Sequence, residues 1–376
     1  MIMNRIEKLI AELCPEGVEW KKLGEVTISL KKDTLKLTDL IHNGKYPVVN
    51  SGREWYGRYN SYNNEGNALT IAARGEYAGY INYISEKFWA GGLCYPYRSK
   101  DENLILTKYI FYALKANENI IMQTLVSRGS IPALNKTDID NFPIPIPPLP
   151  IQEEIVKILD TFTALEAALE AELEARKKQY EYYRNKLLSP VERNGRWYLN
   201  GVEVEWKKLG EVIKLNYGKS LKESERDGGK YPVLGSNGRI GFHSSFLVEG
   251  PCIIIGRKGS AGAVVWEESN CYPIDTTYFV ELKNNDIILK YLFYKLENLK
   301  ISSDKQEGGV PGINREMIYN ISIPIPPLSE QERIVAILDK FDALVNDITQ
   351  GLPAEIEARR KQYEYYRNKL LNFSHR

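Results

Sequence analysis

The chain has 376 residues, of which 43% are hydrophobic and 26% are charged, and its formal net charge is +1. This length predicts roughly two or three globular domains, and the balanced charge excludes a global attraction to polyanions, so any nucleic-acid surface must be local. No apolar run approaches the roughly 20 residues of a membrane span. Charged residues interrupt the N-terminal segment, which therefore lacks the apolar region of a secretory signal. The sequence predicts a cytoplasmic protein.

The chain is an internal duplication. Four motifs recur: EWKKLGEV at 19–26 and 205–212, GKYPV at 44–48 and 229–233, IPIPPL at 144–149 and 323–328, and QYEYYRNKLL at 179–188 and 362–371. The period is too long for a solenoid repeat, so it predicts two whole domains related by a pseudo-two-fold axis. The segments between the motifs differ, which indicates a shared scaffold with unlike loops.

Each copy has the pattern of a mixed α/β domain. Apolar runs bounded by Gly, Pro or Asn predict strands at 68–72 and 252–255. Helical periodicity follows at 106–116 and 288–296. We divide the chain into a first domain at 1–150, a first helical tail at 151–190, a second domain at 191–328 and a second tail at 329–376.

The two tails carry apolar residues at steps of three and four, which is typical of a coiled-coil seam. Ser329 and Glu332 are spaced as a capping box, and Gly351 with Pro353 predicts a kink where the second tail has four extra residues. A dimerisation coiled coil is the simplest interpretation of one such tract. With two tracts in one chain, we expect them to pair with each other. If they pack antiparallel, they act as a spacer that holds the two domains apart.

The identical decapeptide that ends both tails is rich in Tyr and Arg, which suggests duplicated docking sites for a partner. The candidate docking residues are Tyr180, Tyr183, Arg184, Leu187, Tyr363, Tyr366, Arg367 and Leu370.

These motifs resemble those of the specificity subunit of type I restriction-modification enzymes, over nearly the whole chain. The resemblance rests on the combination of PIPPLxxQxxI at 145–155 and 324–334, the segment WKKLGEV at 206–212, and the duplicated tail. It implies a non-catalytic subunit with two target-recognition domains, each recognising one half of an asymmetric bipartite site in double-stranded DNA.

The same resemblance implies the partners. The two tails are expected to bind modification (methyltransferase) subunits, of which we expect two, and restriction subunits join the full complex. S-adenosylmethionine, ATP and Mg²⁺ are expected on those partner subunits, and this chain is expected to hold no cofactor. Because its domains are only slightly basic, we expect tight DNA binding to require the methyltransferase subunits.

Signals for chemistry in the chain itself are weak. The Pro-Pro pairs are followed by Leu149 and Leu328 instead of the aromatic residue of amino-methyltransferases, and no phosphate loop is present. The cysteines form no CxxC pair and the three histidines lie far apart in sequence, so we expect no metal site. Asp275 and Glu281 resemble the carboxylate pair of a Mg²⁺-dependent nuclease, although their interval is short.

Base recognition needs side chains that reach groove edges, and phosphate contacts need further basic groups. The candidates lie in glycine-flanked basic stretches: Arg53, Arg58, Arg74, Arg128, Lys219, Lys222, Asn237, Arg239, Arg257 and Lys258. Arg74 and Lys258 match in the two copies and are expected to contact phosphate. The alternatives to a specificity subunit are a DNA-binding scaffold or regulator that acts alone and, less favoured, the nuclease.

Overall fold

The computed structural model describes residues 2–301, 312–347 and 349–374. The chain forms two compact units: unit 1 comprises Met1–Glu170 with Ile356–Arg376, and unit 2 comprises Ala171–Glu355. This division differs from the predicted four segments, because each unit includes part of both helical tails.

Unit 1 contains the following elements besides the tails. Its helices are α1 (Ile2–Leu13), α2 (Leu23–Val26), α3 (Thr107–Ala116), α4 (Glu118–Thr124) and α5 (Lys136–Asp140). Its strands are β1 (Glu19–Lys22), β2 (Thr27–Ser29), β3 (Tyr46–Val49), β4 (Gly57–Tyr59), β5 (Ala68–Ala72), β6 (Ile81–Ile84), β7 (Trp89–Ala90), β8 (Cys94–Ser99), β9 (Val126–Ser127), β10 (Ala133–Leu134) and β11 (Pro143–Ile146).

The sheets of unit 1 explain why two of the repeated motifs occur together. A four-stranded antiparallel sheet has the order β2-β8-β5-β6, and a three-stranded sheet has the order β4-β3-β7. The strand β1, from the EWKK motif, pairs antiparallel with β11, from the Pro-rich motif, with Glu19 opposite Ile146. The two motifs are therefore the two strands of one ladder, which joins the beginning of the domain to its end.

The long helix α6 (Leu149–Leu188) leads from unit 1 into unit 2. The helices that follow are α7 (Leu209–Val212), α8 (Leu289–Leu299), α9 (Arg315–Tyr319), α10 (Leu328–Asn346) and α11 (Leu352–Leu370). The strands of unit 2 are β12 (Val191–Arg193), β13 (Arg196–Leu199), β14 (Val202–Glu203), β15 (Glu205–Lys208), β16 (Ile213–Tyr217), β17 (Tyr231–Gly235), β18 (Gly238–His243), β19 (Cys252–Gly256), β20 (Val264–Glu267), β21 (Tyr272–Pro273), β22 (Thr277–Leu282) and β23 (Ser322–Ile325).

Unit 2 repeats the topology of unit 1, with sheets in the orders β16-β22-β19-β20 and β18-β17-β21 and the ladder β15-β23. The predicted strands at 68–72 and 252–255 are β5 and β19, and the predicted domain helices are α3 and α8. The mixed α/β fold is thereby confirmed. Among the described residues, no helix combines the length and apolar composition that crossing a membrane requires.

A buried glutamine fastens the start of each tail to its unit. Gln152 is fully buried; its side-chain oxygen accepts from the backbone N–H of Leu106 at 2.9 Å, and its amide donates to the carbonyls of Leu104 and Pro147. Gln331 makes the equivalent three bonds in unit 2. This explains why a Gln follows each Pro-rich motif.

The two tails pack antiparallel in unit 1. Phe162 of α6 stacks on Tyr366 of α11, with 5.4 Å between ring centroids. Arg360, earlier in α11, pairs with Glu166 and Glu170, later in α6. The two helices therefore run in opposite directions within unit 1, which is the arrangement expected of a spacer.

The second tail is interrupted, as predicted from Gly351 and Pro353, because α10 ends at Asn346 and α11 begins at Leu352. The predicted capping box is wrong. The helix begins one residue before Ser329, its N-cap is Pro327, and that position has no side-chain cap.

Candidate nucleic-acid interface

Three loops of unit 1 meet on one surface. The backbone N–H of Gly75, in the β5–β6 loop, donates to the carbonyl of Pro132 in the β9–β10 loop at 3.0 Å. Arg74 forms an isolated β-bridge with Ala133. The β3–β4 loop joins them because the guanidinium carbon of Arg53 lies 4.9 Å from the centroid of the Tyr77 ring.

These loops bring together three of the predicted DNA-binding residues, Arg53, Arg74 and Arg128, and all three are exposed. The same loops expose Trp55 (45%) and Ile131 (63%). We call these five residues the first loop cluster. A cationic surface with exposed aromatic and aliphatic groups suits both phosphates and base faces.

Arg58 lies apart from this cluster. Its Nε donates to the carbonyl of Gly44 at 2.6 Å, and its Nη2 donates to the carbonyl of Lys45 at 2.7 Å. These contacts lie at the end of the β3–β4 hairpin opposite to its loop, so the Arg58 side chain holds the hairpin together.

The second loop cluster comprises five turns of unit 2, which contain Lys219, Asn237, Arg257, Thr276 and Arg315. Hydrogen bonds to backbone carbonyls connect the first four of these turns directly. Lys219 donates its backbone N–H to the carbonyl of Pro273, and Arg257 donates its own to Thr276 at 2.8 Å. The Ser236 hydroxyl, beside Asn237, also donates to Thr276.

The fifth turn joins through Lys258, which forms an isolated bridge with Gly312. Lys219, Asn237 and Lys258 are exposed, and Arg257 is half-buried. The structure therefore gathers four of the predicted residues of the second copy.

The second cluster contains two residues that the sequence analysis missed. The guanidinium carbon of Arg315 lies 3.8 Å from the centroid of the Tyr217 ring, and that of Arg257 lies 5.1 Å from the same centroid. A repeat comparison could have identified Arg315, because Leu134-Asn135-Lys136 in the first copy matches Ile313-Asn314-Arg315. Nothing in the sequence around Tyr217 distinguishes it from the other tyrosines.

Two further candidates of the second copy are not brought into this cluster by the contacts of the described residues. Arg239 forms a two-bond ion pair with Glu267, both bonds being 2.9 Å, and Glu267 is buried. The Arg239 guanidinium and the Ser269 contacts lower the pKa of this carboxyl against the effect of burial. Lys222 precedes the short 3₁₀ helix Glu223–Glu225, and its backbone N–H donates to the carboxylate of Glu225.

The predicted docking residues in the tails face mainly inward. Tyr180, Leu187 and Leu370 are each less than 9% exposed and belong to the core of their own unit, so they are not available to a partner. Arg184 pairs with Glu297 at 3.1 Å. Tyr183 is 36% exposed and stacks on Phe341 at 5.5 Å.

The second decapeptide has the same arrangement. Tyr363 and Tyr366 pack on Phe162, and burial raises the pKa of the Tyr363 phenol. Arg367 lies over the Tyr363 ring at 5.5 Å. The outward positions are held by Tyr182 and Tyr365, which are 60% and 61% exposed. We call these two equivalent tyrosines the outward tail tyrosines.

The geometry does not support the nuclease pair. Glu281 is held by the Asn216 amide at 2.9 Å and by the Lys214 ammonium at 3.0 Å, and these contacts lower its pKa. Asp275 lies in the turn before β22, whereas Glu281 lies near the end of that strand, about 13 Å along it from Thr277 at about 3.3 Å per residue. No group of three or more metal-ligating side chains occurs within the described ranges.

Comparisons with known proteins agree on one family. The model of the type I restriction modification DNA specificity domain matches residues 15–175 and 201–358. A type I restriction enzyme specificity subunit from Escherichia coli is 32% identical over 99% of this chain and 97% of its own length. A putative type I restriction enzyme specificity subunit from Haemophilus influenzae is 34% identical over 98% of both.

Solved structures support the fold. The S subunit of a type I restriction-modification system from M. genitalium superposes with a TM-score of 0.69, at 21% identity, covering 94% of this chain and 96% of that one. A chain from a structural study of type I R-M complex assembly superposes with a TM-score of 0.60, at 16% identity, covering 95% and 98%.

Proposed function

Since the chain belongs to the family of the type I restriction modification DNA specificity domain, we propose that it is the DNA-specificity subunit of a type I restriction-modification enzyme. It recognises an asymmetric bipartite site in double-stranded DNA and carries no catalytic site of its own. As a protein that acts on intracellular DNA, it is cytoplasmic.

The observation that carries this proposal is the contrast between scaffold and loops. The two units share sheet orders, the terminal ladder and the buried glutamine. Their loop clusters differ: the first presents Arg53, Arg74 and Arg128, and the second presents Lys219, Asn237 and Lys258 with its Tyr217 group. Two unlike surfaces on one repeated scaffold suit two unlike half-sites.

The tail ends supply the docking surface for two modification subunits. Because the inward side chains of each decapeptide are used by this chain, docking involves the outward tail tyrosines, which occupy equivalent positions in the two tails. Restriction subunits join through that assembly. S-adenosylmethionine, ATP and Mg²⁺ belong to these partners.

The decisive experiment is to co-express the chain with a methyltransferase subunit and to map methylated adenines across a host genome by single-molecule sequencing. A split motif with two unlike halves is the expected result. A stable complex that methylates no defined motif would contradict the proposed function.

Docking is tested separately with the double variant Tyr182→Ala, Tyr365→Ala. We expect it to remain folded and to lose co-purification with the methyltransferase subunit, because interfacial aromatic side chains carry much of the binding energy. The matched control is Tyr56→Ala, which removes a tyrosine of 39% exposure far from the tails in sequence and should leave co-purification unchanged. Retention of the complex by the double variant would exclude these tyrosines from the interface.

A further inference from the structure

Tyr217 lies against two arginine side chains in the second loop cluster. The guanidinium carbon of Arg315 is 3.8 Å from the ring centroid and that of Arg257 is 5.1 Å from it. The ring itself is 49% exposed and also contacts the buried ring of Tyr278 at 5.1 Å. The two rings are tilted by 47°, and the buried Tyr278 ring holds Tyr217 in place as a platform for both cations.

The two arginines are not neutralised by the described residues. Among the described residues, the ion pairs of unit 2 use other basic side chains, namely Arg176, Lys177, Arg184, Arg196, Lys207, Lys214, Arg239, His243, Lys290 and Arg333. Arg257 donates from Nη1 to the backbone carbonyl of Asp275 at 2.8 Å, which orients its guanidinium without cancelling the charge. The Nε of Arg315 is buried and has no hydrogen-bond partner among the described residues.

Two like charges gathered on one ring repel each other, and the ring quadrupole offsets only part of that repulsion. An anion bound by both guanidinium groups would relieve it. A phosphate oxygen pair matches the donor fork of a guanidinium, and its negative charge can be shared by two such groups. The edge of a guanine base is neutral and accepts one guanidinium, so it would leave the second charge uncompensated.

We propose that Arg257, Arg315 and Tyr217 form a binding site for one phosphodiester of the DNA backbone. This proposal rests on the proposed function, because it places the DNA backbone on the second loop cluster. The site fixes the register of unit 2 on the duplex, and the exposed Asn237 and Lys258 beside it are left to contact bases or neighbouring phosphates.

The first copy does not repeat this arrangement. Lys136, the first residue of α5, corresponds to Arg315, the first residue of α9. Lys136 is paired with Asp140 at 2.5 Å. Its charge is therefore compensated within the unit. This difference supplies a matched control for the experiment.

The test measures binding of the full-length chain, in complex with the methyltransferase subunits, to labelled duplexes by fluorescence anisotropy, over salt concentrations from about 50 to about 200 mM. One duplex carries the sequence that is methylated by the complex, and the other is unrelated. We expect Arg315→Ala and Arg257→Ala each to weaken binding to both duplexes by the same factor, about tenfold, and to reduce the slope of log affinity against log salt by about one. Lys136→Ala should leave affinity and slope unchanged.

Further variants separate the site from a general loss of structure. Arg315→Lys retains the charge and should keep the salt slope while binding more weakly, because it lacks the planar fork. Tyr217→Phe should bind as the unmodified chain does, whereas Tyr217→Leu should lose affinity for both duplexes. Unfolding midpoints of all variants are compared with that of the unmodified chain.

Two outcomes would overturn the proposal. If folded Arg315→Ala and Arg257→Ala variants keep both affinity and salt slope, no phosphate is bound there. If they lose affinity for the methylated sequence alone, the arginines recognise a base instead. The unrelated duplex makes the test independent of sequence recognition, so a chain that yields no methylated motif would fail the proposed function and still give a result here.

Discussion

Single buried side chains account for motifs that the sequence shows but does not explain. Gln152 and Gln331 each satisfy one backbone donor and two backbone acceptors at the junction of domain and tail. The repeat identifies both positions, yet their role could not be predicted, because the bonded partners Leu106 and Ile288 lie more than forty residues earlier in the chain.

Replacing Gln331 with methionine should lower the free energy of unfolding by about 3 kcal/mol, because the N–H of Ile288 and two carbonyls lose their buried partner. Urea unfolding followed by circular dichroism measures this loss. Gln123→Met, at an exposed position of α4, is the control and should change the midpoint little. A fully stable Gln331→Met variant would show that water replaces the amide.

A buried lysine gives unit 2 a dependence on pH. Lys295 is 5% exposed, and its ammonium donates to the carbonyl of Leu188 at the end of α6. Burial lowers its pKa from 10.5 to about 8. Between these values the unfolded chain holds a proton that the folded chain has released, so the free energy of unfolding rises with pH in that window.

The variant Lys295→Met removes this group and should remove the rise. The stability of the unmodified chain relative to the variant is expected to increase by up to about 3 kcal/mol from pH 8 to pH 10.5. Urea unfolding at several pH values measures the difference, and Lys214→Met, at an exposed lysine, is the control. A difference that is independent of pH would mean that Lys295 has an ordinary pKa.

The charged residues show what cannot be predicted from the local sequence around a single side chain. Arg53 and Arg239 both lie in glycine-flanked stretches and look alike in the sequence. The structure leaves Arg53 over a tyrosine ring and pairs Arg239 with Glu267, which is distant in sequence. Whether an arginine is available to bind DNA depends on partners that are distant in sequence. The local sequence pattern does not show these partners.

At the scale of elements, the predictions held where the local pattern and the tertiary environment agree. The strand β5 is an apolar run that is buried along its whole length, so its burial requires no information beyond the run itself. The strand β11 contains two prolines and was not predicted as a strand. Proline is tolerated there because the ladder with β1 has only two strands, so each strand has a free edge.

The tails meet through one phenylalanine in each unit. Phe162 contacts Tyr363 and Tyr366 in unit 1, and Phe341 contacts Tyr180 and Tyr183 in unit 2. The apolar periodicity predicts a seam, but it does not state which tail end packs on which domain. That choice is made by these aromatic contacts between segments far apart in the chain.

Each phenylalanine should therefore stabilise its own unit. Phe162→Ala is expected to cost about 2 kcal/mol and to raise hydrogen exchange in α3 and the end of α11, whereas Phe341→Ala should raise it in α8 and the end of α6. Exchange measured by mass spectrometry resolves the two regions, and each variant is the control for the other. Equal effects of both variants on both units would contradict this assignment.

At the scale of the whole molecule, the duplication made most of the architecture predictable. Repeated motifs mark the beginning and end of each domain, and the structure pairs them as β1-β11 and β15-β23. The two compact units divide the chain differently from the segments drawn along the sequence, because a linear boundary cannot show that 356–376 belongs with unit 1. The loops remained the least predictable part, because their contacts involve several turns at once.

If the tails set the distance between the half-sites, their length should set the gap in the recognised sequence. Deleting residues 347–350 removes four residues between the end of α10 at Asn346 and the start of α11 at Leu352, where the second tail is longer than the first. A helical spacer that is four residues shorter loses about 6 Å, and one base-pair step is about 3.4 Å, so the preferred gap should change by about one or two base pairs. Methylation mapping with the co-expressed methyltransferase reads the gap directly. The control Gln350→Ala alters the same turn without changing its length and should leave the gap unchanged. An active deletion variant with an unchanged gap would refute the spacer role of this tail.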